Sequence, residues 1–217
     1  MKSSVQISVI IPVLNSEKYI GRCIRSLLKQ TINETDYEII VINDFSTDNT
    51  EDALKPFMGD IRYFKNQSTK GLPSSLNRGI KEARGQFVVR VDSDDYVHWD
   101  YLKILSMFLT LNNSYQAVAC DYFLVDDQQN VISQENCKKK PIGCGIMFRL
   151  DKLIEIGLYN EDFLAREDEE FSIRFKKKYS IERVALPLYR YRRHGNNLTN
   201  DKKNMELYSK KLNHNEK

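Results

Sequence analysis

The first half of the chain alternates short apolar runs with stretches in which apolar residues recur every three or four positions. Short apolar runs rich in β-branched residues are typical of buried strands, whereas the i, i+3, i+4 spacing is typical of a helix with one buried face. The predicted strands are 5–12, 37–44, 61–64 and 87–91. The predicted helices are 16–28, 48–57, 73–83 and 100–111, with Ser16 capping the first and Asp48 with Glu51 forming a capping box for the second.

This alternation of strands and helices predicts an α/β fold with a mostly parallel sheet and right-handed crossovers. In such sheets, ligands bind beyond the carboxyl ends of the strands. Three predicted strands end in polar or loop-forming residues, at 12–15, at Asp44 and at 92–95. We therefore expect these residues to share one rim of the sheet.

The second half of the chain has a less regular pattern. The predicted elements are strands at 116–125, 141–148 and 184–192, and helices at 151–156, 166–177 and 205–212. We find no internal repeat and no low-complexity linker, so the sequence predicts a single domain over 1–217 with a polar tail over 200–217.

Composition and charge exclude several classes of protein. Hydrophobic residues make up 41% of the chain, enough for a packed core, and the net charge of +3 is too small to favour nucleic acid as a partner. No apolar run approaches the roughly 20 residues of a membrane-spanning helix. The apolar run at 5–14 contains Gln6 and Ser8 and lacks a cleavage site, so we interpret it as a strand and expect a cytoplasmic location. The four cysteines form no Cys-x-x-Cys pair, which favours reduced thiols over a zinc site.

The strand at 87–91 ends in three carboxylates within four positions, Asp92, Asp94 and Asp95. Carboxylates held this close repel one another unless a positive charge lies among them. A divalent cation, Mn²⁺ or Mg²⁺, would neutralise the cluster and recruit the phosphates of a substrate. The alternative is a polar turn in which one aspartate caps the next helix. Arg90 lies on the same strand face as Asp92 and is expected to help fix it.

Two further acidic positions allow both a functional and a structural interpretation. Asp44 ends its strand, where a carboxylate can accept hydrogen bonds from a ribose or a base, although Asp44 taken alone would favour a turn-forming role. In the acidic run 167–170, Asp168 shares a helix face with Phe171 and Phe175, so it would point inward while Glu169 faces solvent. The alternative for this run is stabilisation of a helix N terminus.

Taken together, these motifs resemble the family 2 glycosyltransferases, which have the GT-A fold and invert configuration at the transferred sugar. The resemblance is carried, in order, by ISVIIPVLN (7–15), VINDFSTD (41–48), GLPSSLN (71–77), VDSDD (91–95), the segment 143–157, REDEEF (166–171) and YRRH (191–194). It covers most of the chain. It implies a Rossmann-like, mostly parallel sheet flanked by helices, with a nucleotide-sugar-binding half over 1–98 and a smaller mixed acceptor and catalytic-base half over 99–199.

The resemblance also implies roles for individual residues. Asp168 matches the family's general base, and His194 matches a basic residue that can reach the metal or the diphosphate. The residues implied to bind the nucleotide are Pro12, Leu14, Asn15, Asp44 and Asp92. The residues implied to hold Mn²⁺ or Mg²⁺ are Asp92, Asp94, Asp95 and His194. One departure is Leu76, where many members carry Arg; Lys70 or Arg78 is the expected substitute at the diphosphate.

The predicted function is therefore metal-dependent transfer of a sugar from a nucleotide-sugar donor, with a UDP-sugar favoured, to a saccharide or lipid-linked saccharide in cell-surface polysaccharide or glycolipid synthesis. The basic run between Arg174 and Arg193 could contact the inner membrane surface, and the tail could support a homo-oligomer. A sugar nucleotidyltransferase would need a Gly-rich phosphate loop with Arg and Lys after the first strand, which is absent. A non-catalytic binding domain would tolerate loss of the acidic residues, all of which are present.

Overall fold

A computed structural model describes residues 5–195, 197 and 200–215. The strands of the described residues are β1 Ile7–Val13, β2 Tyr37–Asn43, β3 Arg62–Lys65, β4 Phe87–Arg90, β5 Tyr96–Val97, β6 Ala117–Val125, β7 Val131–Glu135, β8 Ile146–Arg149 and β9 Ile181–Arg192. The α-helices are α1 Ile20–Leu28, α2 Thr50–Leu54, α3 Leu72–Glu82, α4 Tyr101–Leu111, α5 Leu150–Ile156, α6 Glu167–Lys176 and α7 Lys202–Asn215. Short 3₁₀ turns cover Glu34–Asp36 and Lys55–Phe57.

All of these strands belong to one mixed sheet with the order β3-β2-β1-β4-β8-β6-β9-β5. The first four strands along this order are parallel, as the alternating pattern predicted. Beyond β4 the sheet becomes mixed, because β8 runs antiparallel to both β4 and β6 while β9 runs parallel to β6. Strand β7 pairs with the last residues of β6. The predicted α/β fold class is confirmed.

The apolar runs of the central strands are continuous because both faces of the sheet are covered. On β1, Ile7, Val9 and Ile11 pack into a core with α1 and α4, whereas Ile10 packs into a second core with α3 and α6. All seven residues of β1 are buried. Burial of each such aliphatic side chain contributes roughly 1.5–3 kcal/mol. This two-sided packing holds the carboxyl ends of β1, β2 and β4 in a fixed position.

Both predicted helix caps are wrong. Helix α1 begins at Ile20, and the carbonyl of Ser16 accepts hydrogen bonds from the Tyr19 and Ile20 amides in a preceding turn. The Ser16 hydroxyl instead lies 2.7 Å from the Ser93 hydroxyl, where it joins two rim loops. Asp48 accepts from the amide and hydroxyl of Thr50, and Glu51 pairs with Lys65 rather than closing a capping box.

The second half differs further from its prediction. The strand expected at 141–148 is confined to Ile146–Arg149, and the preceding residues form loop structure. Strands β5 and β7 were not predicted, because β5 has two residues and β7 exposes Val131 and Ile132 at the edge of the sheet. Among the described helices, none combines the length and the apolar character needed to cross a membrane.

Candidate functional site

A cleft of about 650 Å³ opens beyond the carboxyl ends of β1, β2 and β4 and faces the N terminus of α6. The predicted site residues that line it are Pro12, Leu14, Asn15, Asp44, Asp92, Asp94, Asp168 and His194. Two predicted site residues, Lys70 and Asp95, are not part of this lining. The structure therefore brings most of the predicted site together in one cavity, with acidic groups from both halves of the chain.

The loop after β1 forms one wall of the cleft. Leu14 is 46% exposed, so it offers an apolar surface beside Pro12. Asn15 has a φ of 50°, a left-handed conformation that Asn tolerates better than most residues. Its side-chain oxygen accepts from the Thr47 amide at 2.8 Å, and its own amide donates to the Ser46 hydroxyl at 3.0 Å. These bonds tie the loops after β1 and β2 together, so the wall is held in place.

Asp44 is buried and holds a neighbouring loop. Its Oδ1 accepts from the side-chain amide of Asn66 at 2.7 Å and from the backbone amide of Lys70 at 2.9 Å. Its Oδ2 accepts from the backbone amide of Gly71 at 2.8 Å. A carboxylate oxygen can accept two hydrogen bonds, so Oδ2 retains capacity for a ligand. Asp44 thus organises the loop, the structural role left open by the sequence, while remaining in the cleft wall.

The position of the expected arginine lies in the core. Leu76 is 1% exposed and packs with Ile10 and Ile80. The Lys70 side chain is exposed outside the cleft lining. Arg78, on α3, donates to the Lys65 carbonyl and the Asn66 side chain, so it ties α3 to the end of β3. Contact of Lys70 with a diphosphate stays a prediction.

Arg90 connects the turn at 92–95, which we call the acidic turn, to α6. Its Nε and Nη2 donate to the two oxygens of Asp92 at 2.6 and 3.1 Å. This is the bidentate geometry that Arg–carboxylate pairs frequently adopt. Its Nη1 donates to Glu167 at 2.9 Å. Glu167 is buried, and burial raises its pKa to about 7 although Arg90 opposes that shift. Glu167 was not among the predicted site residues, and its only signal in the sequence is its place beside Asp168 in the acidic run.

Asp94 and His194 converge from different elements, the turn after β4 and the segment after β9. His194 Nε2 lies 2.7 Å from Asp94 Oδ2. The Tyr19 ring stacks on the imidazole with 4.9 Å between centroids. Burial, followed by the charge of Asp92, raises the pKa of Asp94. A cation bound near Asp92 and Asp94 would relieve the repulsion between their two negative charges.

Asp95 is buried outside the cleft lining and stabilises the acidic turn. Tyr189 donates its hydroxyl to Oδ2 at 2.7 Å, and the Arg192 amide donates to Oδ1 at 2.7 Å. Ligand atoms of Asp92, Asp95 and Cys144 lie within 4.8 Å of one another. Burial raises the pKa of the Cys144 thiol well above its usual value, and a neutral thiol is a poor ligand for Mg²⁺ or Mn²⁺. Asp94 and His194 therefore fit a hard cation better than this buried group.

Asp168 lies in the first turn of α6, opposite the acidic turn. Phe171 and Phe175 on the same helix face are buried, which directs Asp168 inward. Gly143 packs directly on it, since a Cβ at Gly143 would lie 2.5 Å from the Asp168 Cβ. Burial raises the pKa of Asp168 even though the Arg90 charge lowers it. The Glu169 side chain is 44% exposed and pairs with Arg166.

A mixed α/β sheet with acidic groups on two sides of one cleft at its carboxyl-end rim is the arrangement of the GT-A fold. The model of the family described as Glycosyl transferase family 2 matches residues 8–157, and the chain belongs to this family.

The similarity extends to individual proteins. Over 113 residues the chain is 35% identical to the poly(ribitol-phosphate) beta-N-acetylglucosaminyltransferase TarS of Staphylococcus aureus; this region is 51% of the chain and 20% of that relative. The crystal structure of S. aureus TarS 1-349 in complex with UDP-GlcNAc has a TM-score of 0.77 at 23% identity, covering 91% of this chain and 61% of TarS 1-349. The Pyrobaculum calidifontis mannosyltransferase PcManGT in complex with GDP-Man and Mn²⁺ has a TM-score of 0.66 at 17% identity, with 87% and 56% covered. At these identities the structural likeness shows the fold. The chain spans well under two thirds of the length of TarS, since the 113 matched residues are a fifth of that relative and the structural match covers 37% of it.

Proposed function

We propose that the chain transfers a sugar, with inversion, from a nucleoside diphosphate sugar to a hydroxyl group of an acceptor. The observation that carries this proposal is a single cleft lined both by Asp92, Asp94 and His194 and by Asp168. An inverting transfer needs charge stabilisation at the departing diphosphate and a base on the opposite face of the sugar. Two separate acidic elements in one cleft meet both needs.

The nucleotide is proposed to lie against the loop after β1, with Pro12, Leu14 and Asn15 beside the base. The free acceptor capacity of Asp44 Oδ2 suits an N–H of the base or a hydroxyl of the ribose. A UDP-sugar is favoured because TarS, which shares the fold, forms a complex with UDP-GlcNAc. Lys70 is proposed as a contact to the diphosphate.

The acidic turn is proposed to hold Mn²⁺ or Mg²⁺ through Asp94, His194 and Asp92. Carboxylate oxygens suit these cations, and His194 would add one nitrogen ligand beside them. The fit is supported by the convergence of Asp94 and His194 and by the raised pKa of Asp94, since a cation would favour its charged form. When bound, the cation would neutralise charge on the diphosphate. Asp95 is proposed to act indirectly, by holding the turn through Tyr189 and Arg192.

Asp168 is proposed to act as the general base. Its carboxylate accepts the proton of the acceptor hydroxyl as the acceptor oxygen bonds to the anomeric carbon, and the bond from that carbon to the diphosphate oxygen breaks. The electron pair of the broken bond leaves with the nucleoside diphosphate. Burial raises the pKa of Asp168 in the direction of neutral pH, and a higher pKa makes the carboxylate a stronger base.

The acceptor is proposed to be a saccharide or lipid-linked saccharide of a cell-surface polysaccharide. The name of the TarS relative, which specifies transfer to poly(ribitol-phosphate), supports this class of acceptor. A cytoplasmic location with contact to the inner membrane surface, and assembly of the chain into a homo-oligomer, stay predictions from the sequence.

The replacement Asp168→Asn tests the assignment of the base. Release of UDP from UDP-GlcNAc in the presence of Mn²⁺ reports transfer to water, so no acceptor is needed. We expect the rate to fall by roughly 10²–10⁴-fold, because the amide cannot take the proton, while the affinity for UDP is retained.

The matched control is Asp151→Asn, which changes an exposed first-turn acid of α5 outside the cleft and should leave the rate unchanged. Loss of UDP affinity in Asp168→Asn would assign Asp168 to the donor pocket. A rate equal to that of the wild type would refute its role as base.

A further inference from the structure

A second cavity, of about 550 Å³, adjoins the cleft on the far side of the segment 141–142. We call it the lysine-rimmed cavity. It lies between the loop that precedes β8, the C-terminal end of α6 and the first residues of β9. Its lining includes Cys120, Cys137, Ile146 and Ile181 inside, and Lys138, Lys176, Lys177, Lys178 and Glu182 at the rim. Its volume is within the range of about 300–1,000 Å³ found for sites that bind small molecules.

Shared elements connect this cavity to the catalytic cleft. Pro141 and Ile142 line both cavities. On α6, Asp168 lines the cleft and Ser172, one turn later on the same face, lines the lysine-rimmed cavity. A molecule whose hydroxyl lies at Asp168 could therefore extend past 141–142 into this cavity.

The rim carries an excess of positive charge. Lys178 pairs with Glu155, and Lys138 lies 3.9 Å from Glu182. Over the described residues, no carboxylate pairs with Lys176 or Lys177, and both side chains are exposed. The C terminus of a helix alone favours lysines nearby. However, Lys138 comes from a different segment and lies on the same rim, so two segments bring positive charge to the opening.

The interior of the cavity is apolar and uncharged. Cys120, Ile146 and Ile181 present aliphatic or thiol surface. Burial raises the pKa of the Cys137 thiol to about 11, so the thiol is neutral at physiological pH. An apolar interior below a cationic rim is complementary to a molecule with an apolar chain and an anionic head.

We propose that the lysine-rimmed cavity binds a phosphate-bearing apolar chain, the anionic lipid part of the acceptor. The phosphate contacts Lys176 and Lys177, and the chain enters the cavity between Cys137 and Ile181. This inference rests on the proposed function, because it assigns the acceptor of the same cleft.

Octyl phosphate, at concentrations below its micellar range, is the probe for this cavity. Isothermal titration calorimetry on the full chain compares it with octanol and inorganic phosphate. We expect one octyl phosphate per chain and at least about tenfold weaker binding of the other two, because each offers half of the recognised chemistry. The double variant Lys176→Gln/Lys177→Gln should weaken octyl phosphate binding by about tenfold or more.

The matched control is Lys81→Gln/Lys103→Gln, which removes the same charge from exposed positions of α3 and α4 outside both cavities and should leave the affinity unchanged. Equal affinity of both double variants, or equal binding of inorganic phosphate, would overturn the proposal. UDP binding with Mn²⁺ is measured on the same samples. If it persists while octyl phosphate fails to bind, only the acceptor site is refuted; if UDP also fails, the proposed function itself is refuted.

Discussion

At the scale of single residues, Glu167 is the least expected member of the site. Its side chain is 6% exposed and bonds to Arg90, which also holds Asp92. One guanidinium thus fixes carboxylates from two sides of the cleft. Removing Asp92 would leave Arg90 without its bidentate charged partner inside the protein, and an uncompensated buried charge is strongly destabilising.

Glu167 should make stability depend on pH. Burial raises its pKa in the folded chain to about 7, against an ordinary value of 4.5. Between these values the folded state keeps a proton that the unfolded state releases, so stability falls as pH rises from about 5 to 7. In Glu167→Gln we expect this decline to be smaller by about 1–3 kcal/mol, measured by chemical unfolding at several pH values.

The control Glu206→Gln removes an exposed carboxylate and should keep the wild-type slope. A Glu167→Gln variant with an unchanged slope would mean that Glu167 is ionised throughout this range, as a simple ion pair with Arg90 would make it.

Residues differ in how far the sequence predicts them. The inward direction of Asp168 follows from its spacing to Phe171 and Phe175, which is local information. The role of Glu167 depends on Arg90, 77 positions earlier, and that of Asp95 on Tyr189, 94 positions later. Contacts of this separation are fixed by the fold, so the pattern of residues around each acid could not reveal them.

At the scale of elements, the position of the Asp168 carboxylate depends on close contact between α6 and the loop before β8. Gly143 allows this contact because it lacks a side chain; an added Cβ would lie 2.7 Å from Asp168 Oδ2. We expect Gly143→Ala to displace the carboxylate and to lower the rate of UDP release from UDP-GlcNAc by about 10–100-fold, since small misplacements of a catalytic group are costly. UDP affinity should stay the same.

Gly59→Ala is the control, because a Cβ at that position would meet nothing within 4 Å. A wild-type rate in Gly143→Ala would show that the loop can move away without shifting Asp168. A loss of UDP affinity would show that the loop also shapes the donor side of the cleft.

The elements themselves were predictable where burial is regular. Strands β1 and β2 have continuous apolar runs because helices cover both faces. Strand β7 has the sequence VISQE with an exposed, irregular pattern, and the loop before β8 has an apolar pattern without strand pairing. In both cases the edge position or the neighbouring segment, rather than local propensity, decides the structure.

At the scale of the whole molecule, the parallel half of the sheet was predictable and the mixed half was not. The order β4-β8-β6-β9 joins strands far apart in the chain, and no local pattern specifies it. The cleft was predictable because the carboxyl ends of parallel strands share one rim. The lysine-rimmed cavity was not, since it depends on how α6 meets the loop before β8.

The central claim, that the cleft binds a nucleoside diphosphate through a cation held by the acidic turn, is tested most directly by the melting temperature. The protein is heated with UDP in the presence of Mn²⁺ or EDTA, alongside Asp94→Ala. A ligand that binds only the folded state stabilises it by about 2.7 kcal/mol at a hundredfold excess over its dissociation constant. We expect UDP to raise the melting temperature with Mn²⁺, to have little effect with EDTA, and to have little effect on Asp94→Ala under either condition. An equal shift with Mn²⁺ and with EDTA, or a full shift in Asp94→Ala, would contradict the account.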